Sequence, residues 1–229
     1  MKVDMSQGYI LIPAYQAEKT LSDLLSRIQG CSILHIVVVD DGSTDNTAQI
    51  AQEAGVHLLQ HKENLGKGRA LQTGFRYIME AGGAFVITVD ADLQHPPDAI
   101  PGLVNKYLQN PGTFIIGERE RDKHMPIHRR WSNAITSYLV GKRIKMKIPD
   151  VQCGFRLIPG ECLYELVEGN KGFVFETEMV IRLADKHIPL DFYPIPTIYM
   201  KDGRSSIAHV RDTFRFIKMY TYSFLRRPD

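Results

Sequence analysis

The sequence predicts an α/β fold with a mainly parallel sheet that has helices on both faces. Short apolar runs of strand length alternate with longer amphipathic stretches through the first half of the chain. Acidic segments directly follow two of the apolar runs, a glycine pair ends one amphipathic stretch and a proline pair begins another. Because crossover helices pair successive strands in parallel, this alternation favours a parallel sheet.

Five strands are predicted before residue 118, at about 9–13, 33–39, 56–61, 84–89 and 113–117. The fourth run is apolar throughout, which is typical of a strand buried on both faces. Helices are predicted over about 17–28, from a cap at Ser43 or Thr44 with Asp45 in the first turn, over 67–80, and over 98–108 after Pro96 and Pro97.

The regular alternation stops after Gly117. Dense charge of both signs without periodicity predicts a mobile loop over 118–130. Beyond it we predict a helix over 131–141, a strand over 154–158, a helix over 175–186, an extended segment over 190–200 and an amphipathic helix over about 207–225. Pro194 and Pro196 confine the extended segment to an edge of the sheet, because proline cannot donate a ladder hydrogen bond.

Length and composition exclude several classes of protein. With 229 residues and 44% hydrophobic residues, the chain is predicted to form a single domain over 1–229. A net charge of +2 gives no reason to expect a nucleic-acid partner. Three cysteines without a C-x-x-C pair indicate a reducing compartment, and no apolar run approaches the roughly 20 residues of a membrane span. We therefore expect a cytoplasmic protein.

The segment DADLQHPP at residues 90–97 is the most informative motif. It directly follows the buried fourth strand, so its polar side chains should lie at the carboxyl end of the sheet, where open α/β sheets bind ligands. Oxygen ligands such as Asp90, Asp92 and Gln94 suit Mg²⁺ or Mn²⁺ bridged to a substrate diphosphate. Helix capping is the alternative, but Asp90 and Asp92 lie too early for the helix that begins after Pro97.

Three other segments lie at the same edge. Asp40 and Asp41 begin DDGSTD after the second strand, where a carboxylate either accepts hydrogen bonds from a base or ribose or caps a helix. Lys67 lies in NLGKGR at a helix start, which is typical of a phosphate-binding turn but lacks the residues of a P-loop. Tyr15, just after Pro13, either stacks on a base or belongs to the core. Because these ends of strands and helices face one crevice together with residues 90–97, we interpret the four segments as one nucleotide-binding site.

Together these motifs resemble those of the family 2 glycosyltransferases, and most closely those of the dolichyl-phosphate sugar transferases. The resemblance rests on PAYQAE at 13–18, DDGSTD at 40–45, NLGKG at 64–68, DADLQHPP at 90–97, GER at 117–119, DVQCGFR at 150–156, FE at 175–176 and GRSS at 203–206. It implies a GT-A type, Rossmann-like sheet with a C-terminal acceptor-side extension. It also implies a metal-dependent, inverting transfer of a hexose from a nucleotide diphosphate sugar.

The resemblance assigns roles to individual residues. It implies a nucleotide-sugar-binding half at 1–117 and an acceptor-side half at 118–229. Substrate-binding residues are expected at Pro13, Tyr15, Glu18, Asp40, Asp41, Lys67, Asp90, Ala91, Arg156 and Ser205, and metal ligands at Asp90, Asp92 and Gln94. The donor stays open between GDP-mannose and UDP-glucose types, because DVQCGFR resembles the glucosyl branch whereas DADLQHPP and FE also suit the mannosyl branch.

Acceptor chemistry decides which further residues are needed. Arg119 at the end of the fifth strand, with Arg129 and Arg130 across the charged loop, are candidates to clamp a donor or acceptor phosphate. A phosphate monoester is largely ionised at pH 7 and attacks unaided, whereas a saccharide hydroxyl needs a base. Asp150 is the candidate base, and its alternative role is that of a turn residue after Pro149.

The last helix and the function each leave alternatives open. The apolar stripe of the helix, which includes Phe214 and Ile217, either packs on the protein or contacts the inner face of a membrane that holds a lipid-phosphate acceptor.

A saccharide hydroxyl in cell-surface polysaccharide synthesis is the alternative acceptor, and a catalytically silent nucleotide-binding homologue is the alternative function. A nucleotidyltransferase and a Rossmann dehydrogenase are disfavoured because neither signature follows the first strand.

Overall fold

A computed structural model of the chain describes residues 3–120, 127–169, 174–196, 198 and 209–225. In this part of the chain, seven strands form one sheet: β1 (Gly8–Ala14), β2 (His35–Asp40), β3 (His57–Gln60), β4 (Phe85–Thr88), β5 (Phe114–Arg119), β6 (Arg156–Pro159) and β7 (Leu190–Ile195). The helices are α1 (Leu21–Cys31), α2 (Thr47–Glu53), α3 (Lys67–Glu80), α4 (Ile100–Gln109), α5 (Ile127–Ile144), α6 (Val174–Asp185) and α7 (His209–Ser223), and short 3-10 segments cover Met5–Gln7, Pro97–Ala99 and Gly160–Leu166.

The strand order is β3-β2-β1-β4-β6-β5-β7, and the sheet is mainly parallel. Only β6 among these strands runs antiparallel to its neighbours, β4 and β5. Ala14 of β1 is in register with Asp40 of β2, which is in register with Gln60 of β3, so the carboxyl ends of these strands are level. The predicted α/β fold class is therefore confirmed, and β7 lies at an edge as its prolines require.

Packing of α3 on the sheet positions the start of that helix. The strands beneath it are apolar and buried, with every residue of β4 inaccessible or nearly so. Helix α3 packs on β1 and β2 and also contacts α6. A Cβ at Gly74 would collide with the side chain of Leu11, so a small residue is needed for this close approach. As a result, Lys67 at the first position of α3 lies at the carboxyl end of the sheet.

The starts of α1 and α2 differ from the prediction. Helix α1 begins at Leu21 rather than near residue 17, and α2 begins at Thr47. The predicted caps Ser43 and Thr44 do not cap α2, because their hydroxyls accept hydrogen bonds from the backbone and side-chain amides of Gln16. The Asp45 carboxylate instead accepts from the Thr47 amide at 3.0 Å. These bonds tie the segment after β1 to the segment after β2.

The predicted mobile loop over 118–130 is corrected at both ends. Residues 118 and 119 continue β5, because their backbone pairs with Pro194 and Ile195 of β7. Helix α5 begins at Ile127, four residues before the predicted start, and continues to Ile144. Residues 121–126 lie outside the described residues. The charged residues of this segment therefore include the end of strand β5 and the start of helix α5.

Helix α7 packs by a different face from the predicted stripe. Met219 and Ser223 are buried, and Phe216 packs on the core. Phe214 and Ile217, which belong to the predicted apolar stripe, are 70% and 50% exposed. The expectation that this stripe packs on the protein is wrong for these residues. Among the helices in the described part of the chain, none combines the length and apolar composition that a membrane crossing needs.

Candidate active site at the carboxyl end of the sheet

Lys67 joins two acidic residues from different elements. Its Nζ lies 2.6 Å from Asp90 Oδ1, just beyond β4, and 3.1 Å from Glu176 Oε1, in the first turn of α6. Burial alone would lower the pKa of Lys67, but the two carboxylates outweigh it and raise that pKa. Burial would likewise raise the pKa of Asp90, but Lys67 and other neighbouring positive charges lower it to about 2. Lys67 and Asp90 are therefore both ionised at neutral pH.

The DAD segment, residues 90–92, has an enclosed carboxylate at Asp90 and an exposed one at Asp92. Asp92 is exposed at the crevice, and its Oδ1 accepts a hydrogen bond from the Gln94 amide at 3.0 Å. Protein atoms nevertheless crowd this carboxylate enough to raise the pKa of Asp92, and the charge of Asp90 raises it further. A Cβ at Gly154 would lie 2.8 Å from Asp90 Oδ2, so glycine is needed beside that carboxylate. The carbonyl of Ala91 accepts from Thr20 Oγ1 at 2.6 Å.

His95 holds the backbone of the DAD segment through a hydrogen bond. Its ring is buried, and its Nδ1 accepts a hydrogen bond from the Asp90 amide at 3.2 Å. Burial lowers the pKa of His95 to about 4, although the charge of Asp90 opposes that shift. His95 is therefore neutral at physiological pH and orients the backbone of the segment without adding charge.

Arg119 and Asp150 form the second charged group of the site. Arg119 Nε and a terminal guanidinium nitrogen donate to the two Asp150 oxygens at 2.6 and 3.0 Å. Asp150 Oδ1 also accepts from Asn133 Nδ2 at 2.9 Å and from the Gln152 amide at 3.2 Å. These four hydrogen bonds occupy both oxygens of a buried carboxylate, so the contacts of Asp150 are those of a residue that orients Arg119. Its predicted role as a base stays a prediction.

The aspartate that ends β2, Asp40, and the one that follows it, Asp41, hold the loops around the crevice. Asp40 accepts from the Ser43 amide at 3.0 Å and is almost inaccessible. Asp41 Oδ1 accepts from His61 Nδ1 at 2.6 Å, and its oxygens also accept from the amides of Leu65 and Gly66 at 3.0 and 2.7 Å. The carboxylate of Asp41 is thus committed to the turn that leads into Lys67. Asp41 therefore positions this turn, and its predicted role in substrate binding stays a prediction.

The residues at and just after the end of β1 differ in whether their side chains are accessible or held by hydrogen bonds. Pro13 is half-buried in register with Val39, and the Tyr15 side chain is 50% exposed beside it. Glu18 is held instead, because its Oε2 accepts from Asn46 Nδ2 at 3.3 Å. Tyr15 is therefore the aromatic ring of this region that remains accessible for stacking.

Arg156 is a structural residue. It is completely buried, and its guanidinium donates to the carbonyls of Cys153, Val151 and Glu176 at 2.8, 2.8 and 2.5 Å. The predicted contact of Arg156 with substrate is wrong, because no part of it reaches the crevice. Arg129 and Arg130 lie in α5, but their side chains are outside the described part, as is the whole of Ser205.

Two residues of the site, Glu176 and His95, are not predicted by the sequence analysis. They lie in the motifs FE and DADLQHPP, whose pattern alone does not indicate what they contact. An acidic residue in the first turn of a largely apolar helix was the available signal for Glu176. Its partner Lys67 lies far away along the chain, and no local pattern joins the two.

A mainly parallel sheet with acidic and basic groups gathered at its carboxyl edge is typical of α/β proteins that bind ligands in the crevice at that edge. The sequence model of the family described as "Glycosyl transferase family 2" matches residues 9–166, which is more than half of the chain. The chain therefore belongs to glycosyl transferase family 2. The predicted GT-A type of fold and the coarse prediction of a glycosyltransferase are confirmed.

Two relatives are similar over much of the sequence. A UDP-N-acetylglucosamine–dolichyl-phosphate N-acetylglucosaminyltransferase from Methanococcus voltae is 28% identical over 230 residues, covering 90% of this chain and 92% of the relative. An undecaprenyl-phosphate 4-deoxy-4-formamido-L-arabinose transferase from Proteus mirabilis is 33% identical over 158 residues, covering 64% of this chain and 47% of that protein.

A solved structure shares the fold at low sequence identity. Glucosyl-3-phosphoglycerate synthase from Mycobacterium tuberculosis, in complex with Mn²⁺, UDP-glucose and phosphoglyceric acid, superposes with a TM-score of 0.77 at 18% identity. The match covers 97% of this chain and 80% of that one. At this identity the likeness shows the fold alone.

Proposed function

We propose that this chain transfers a sugar from a nucleoside diphosphate to the phosphate of a polyprenyl phosphate, with inversion at the anomeric carbon and with a divalent metal. The observation that carries the proposal is the bidentate Arg119–Asp150 pair. A hydroxyl acceptor needs a free base, and the candidate base Asp150 is committed to four donors. A phosphate acceptor is already ionised and needs an oriented cation instead.

The relatives support this choice of acceptor. The Methanococcus voltae and Proteus mirabilis enzymes carry dolichyl phosphate and undecaprenyl phosphate in their names. Their sugars, N-acetylglucosamine and 4-deoxy-4-formamido-L-arabinose, differ from the mannose and glucose types that the motifs suggested. Since one relative is named for a UDP-sugar and the structural neighbour holds UDP-glucose, we propose a uridine diphosphate donor.

The carboxylates after β4 fit a divalent metal. Within the described residues, no cluster of three or more His, Cys, Asp or Glu side chains forms an all-protein metal cage. Mg²⁺ at phosphate-transfer sites uses one or two carboxylates, with water and substrate phosphate as its other ligands. Asp92 and Asp90, with Gln94 beside them, would hold such an ion. When bound, it would supply stabilisation of the charge that develops on the leaving diphosphate.

Other residues of the chain would bind the donor in one predicted half and orient the acceptor in the other. On the donor side, Tyr15 would stack on the base, and Lys67 would place a permanent positive charge beside the diphosphate. On the acceptor side, Arg119 would orient the attacking phosphate. Attack from the side opposite the diphosphate in a single displacement inverts the anomeric carbon, and no enzyme nucleophile is required.

A transfer assay with paired acceptors tests the proposal. The chain is incubated with Mn²⁺, undecaprenyl phosphate in detergent, and UDP-N-acetylglucosamine, UDP-glucose or GDP-mannose in parallel. We expect a lipid-linked sugar phosphate and an equal amount of nucleoside diphosphate with one of the uridine donors. Undecaprenol, which lacks the phosphate, is the matched control acceptor. Equal transfer to undecaprenol or to a saccharide would overturn the phosphate-acceptor proposal, and nucleotide binding without turnover would favour the silent homologue.

A further inference from the structure

The carboxylate of Glu176 is buried at the start of a largely apolar helix. Its side chain is 7% exposed, and the two residues before it, Val174 and Phe175, are buried as well. Glu176 Oε1 lies 3.1 Å from Lys67 Nζ. Removing both partners of an ion pair from water is costly, and an apolar pair of similar volume is often at least as stable. Stability alone is therefore a weak reason for this ion pair.

The backbone of Glu176 is fixed by contacts with the core. The guanidinium of Arg156 is completely buried and donates to the Glu176 carbonyl at 2.5 Å. The ring of Phe175 packs near that of Phe75 in α3, with 6.4 Å between the ring centroids. Because α3 begins with Lys67, this contact between α6 and α3 also sets the distance from the Glu176 carboxylate to the ammonium group. Buried residues thus hold the carboxylate at Lys67.

Glu176 determines the net charge of the group around Lys67. Asp90 and Glu176 both contact Lys67, and the charge of Asp90 acts on Asp92. One ammonium group and three carboxylates leave this group with a surplus of two negative charges. The divalent ion of the proposed function would make the group neutral. With an uncharged residue in place of Glu176, the loaded group would instead carry a surplus positive charge.

The nucleotide that enters this group and the nucleotide that leaves it differ in charge. Both phosphates of a sugar nucleotide are esterified, so each keeps one ionised oxygen. The nucleoside diphosphate that leaves has a terminal phosphate with a second pKa of about 6, so it is largely doubly ionised at pH 7. The product is therefore more negative than the donor. A site with surplus positive charge would hold the product more tightly than the donor and would slow its release.

We propose that Glu176 is a positioning residue that holds Lys67 beside the diphosphate and cancels its charge, so that the nucleoside diphosphate is released after transfer. The proposal rests on the proposed function, because it requires a divalent ion and a nucleoside diphosphate at this group. Glu176 acts through Lys67 and needs no contact with substrate. When Asp90 is shared with the ion, Glu176 stays as the second carboxylate beside Lys67, which limits competition for Asp90.

Glu176→Gln tests the proposal, because the amide keeps the size of the side chain and removes its charge. Mn²⁺ binding without nucleotide is measured from the free-ion signal in electron paramagnetic resonance. Binding of UDP and of UDP-N-acetylglucosamine at saturating Mn²⁺ is measured by calorimetry. We expect Mn²⁺ affinity to fall about tenfold and UDP affinity to rise about tenfold, as a unit charge nearby in a partly buried site would cause. UDP-N-acetylglucosamine affinity should rise less, by about threefold, because the donor is less negative.

Glu178→Gln is the matched control. Glu178 lies in the same helix and is also buried, but it pairs with Arg182 at 2.8 Å. Its substitution should leave the affinities for Mn²⁺ and UDP unchanged, although the melting temperature falls. Glu176→Asp keeps the negative charge and should keep most of both affinities.

A double variant keeps the test decisive if Glu176→Gln does not fold. Lys67→Met with Glu176→Gln removes the cation and the anion together, so neither partner is left buried without the other. Two carboxylates then remain for one divalent ion, and the loaded group is neutral again. We expect Mn²⁺ affinity within about threefold of that of the unsubstituted protein, whereas independent losses would add to a larger defect.

Opposite changes in Mn²⁺ and UDP affinity, absent from Glu178→Gln and reversed in Glu176→Asp, would support the proposal. Loss of both affinities together would make Glu176 a purely structural residue, and unchanged affinities would remove it from the charge balance. Either result, or an additive defect in the double variant, would overturn the proposal and leave the proposed function intact. Absence of Mn²⁺-dependent UDP binding in the unsubstituted protein would overturn the proposed function, and this inference with it.

Discussion

The two charged groups at the crevice differ in their balance of charge. Lys67 is surrounded by Asp90 and Glu176, and Asp92 is close enough for Asp90 to raise its pKa, so one cation faces three carboxylates. Among the residues that the structure describes, Arg119 forms its ion pair with one carboxylate, that of Asp150. The first group is left with net negative charge at the end of β4, whereas the second is neutral and fixed in orientation.

Under the proposed function, this difference in charge would let one edge of the sheet bind the donor diphosphate and the acceptor phosphate in different ways. A negative group favours an additional cation, which fits a metal-bound diphosphate on the donor side. A balanced pair with a rigid guanidinium favours a directional contact to an anion, which fits an acceptor phosphate.

Asp92→Asn should have the largest effect. It removes the exposed carboxylate of the unbalanced group, and we expect kcat/KM to fall by about a thousandfold, since metal and electrostatic stabilisation of a leaving group is worth several kcal/mol. The Mn²⁺-dependent rise in melting temperature with UDP should also be lost. Asp98→Asn changes an exposed aspartate that pairs only loosely with Arg27 and is the control. Full activity in Asp92→Asn would remove Asp92 from the metal site.

Asp150→Asn should have a smaller effect on catalysis and a clear effect on stability. The amide keeps an acceptor for Arg119 but leaves a largely buried guanidinium without its counter-charge, so we expect about 2 kcal/mol less unfolding free energy. The KM for the lipid phosphate should rise about tenfold through misorientation of Arg119, with an unchanged pH profile.

The control for Asp150→Asn is Asp185→Asn, which breaks the comparable Arg143–Asp185 pair away from the crevice. This substitution should lower the free energy of unfolding and leave kcat and KM unchanged. If Asp150→Asn instead lowered kcat by about a hundredfold or more and abolished the acidic limb of the pH profile, Asp150 would be a base. A hydroxyl acceptor would then replace the phosphate.

The donor side of the fold was largely predictable because its signals are local. The helix predicted over 67–80 has those bounds in the structure, and the apolar run before Asp90 is a buried central strand. Each of these elements is specified by a short periodic pattern and by a glycine or proline at its end. Parallel strands of this kind bring their carboxyl ends together regardless of the remaining details.

The acceptor side was less predictable because its contacts join distant segments. Arg156 looks in the sequence like an arginine for phosphate, and only the fold shows that three carbonyls surround it. The same holds for Asp41 on the donor side, because only the fold shows that this carboxylate holds the turn before Lys67. A polar residue in a family motif therefore indicates proximity to the site, whereas its partners decide between binding and support.

Low pH should destabilise the fold through His95, whose ring accepts a hydrogen bond from the Asp90 amide in the unbalanced group. Its pKa is lowered from the usual value of 6.5 to about 4 in the fold, so between those values the unfolded chain binds a proton that the folded chain does not. Stability is therefore lost as pH falls from about 6.5 towards 4, by about 2 kcal/mol at pH 5. His95→Gln should remove that part of the slope in urea unfolding at pH 7 and 5, while His187→Gln, at an exposed position, should not. An unchanged slope in His95→Gln would mean that His95 binds protons equally well in the folded and the unfolded chain, which would contradict a lowered pKa in the fold.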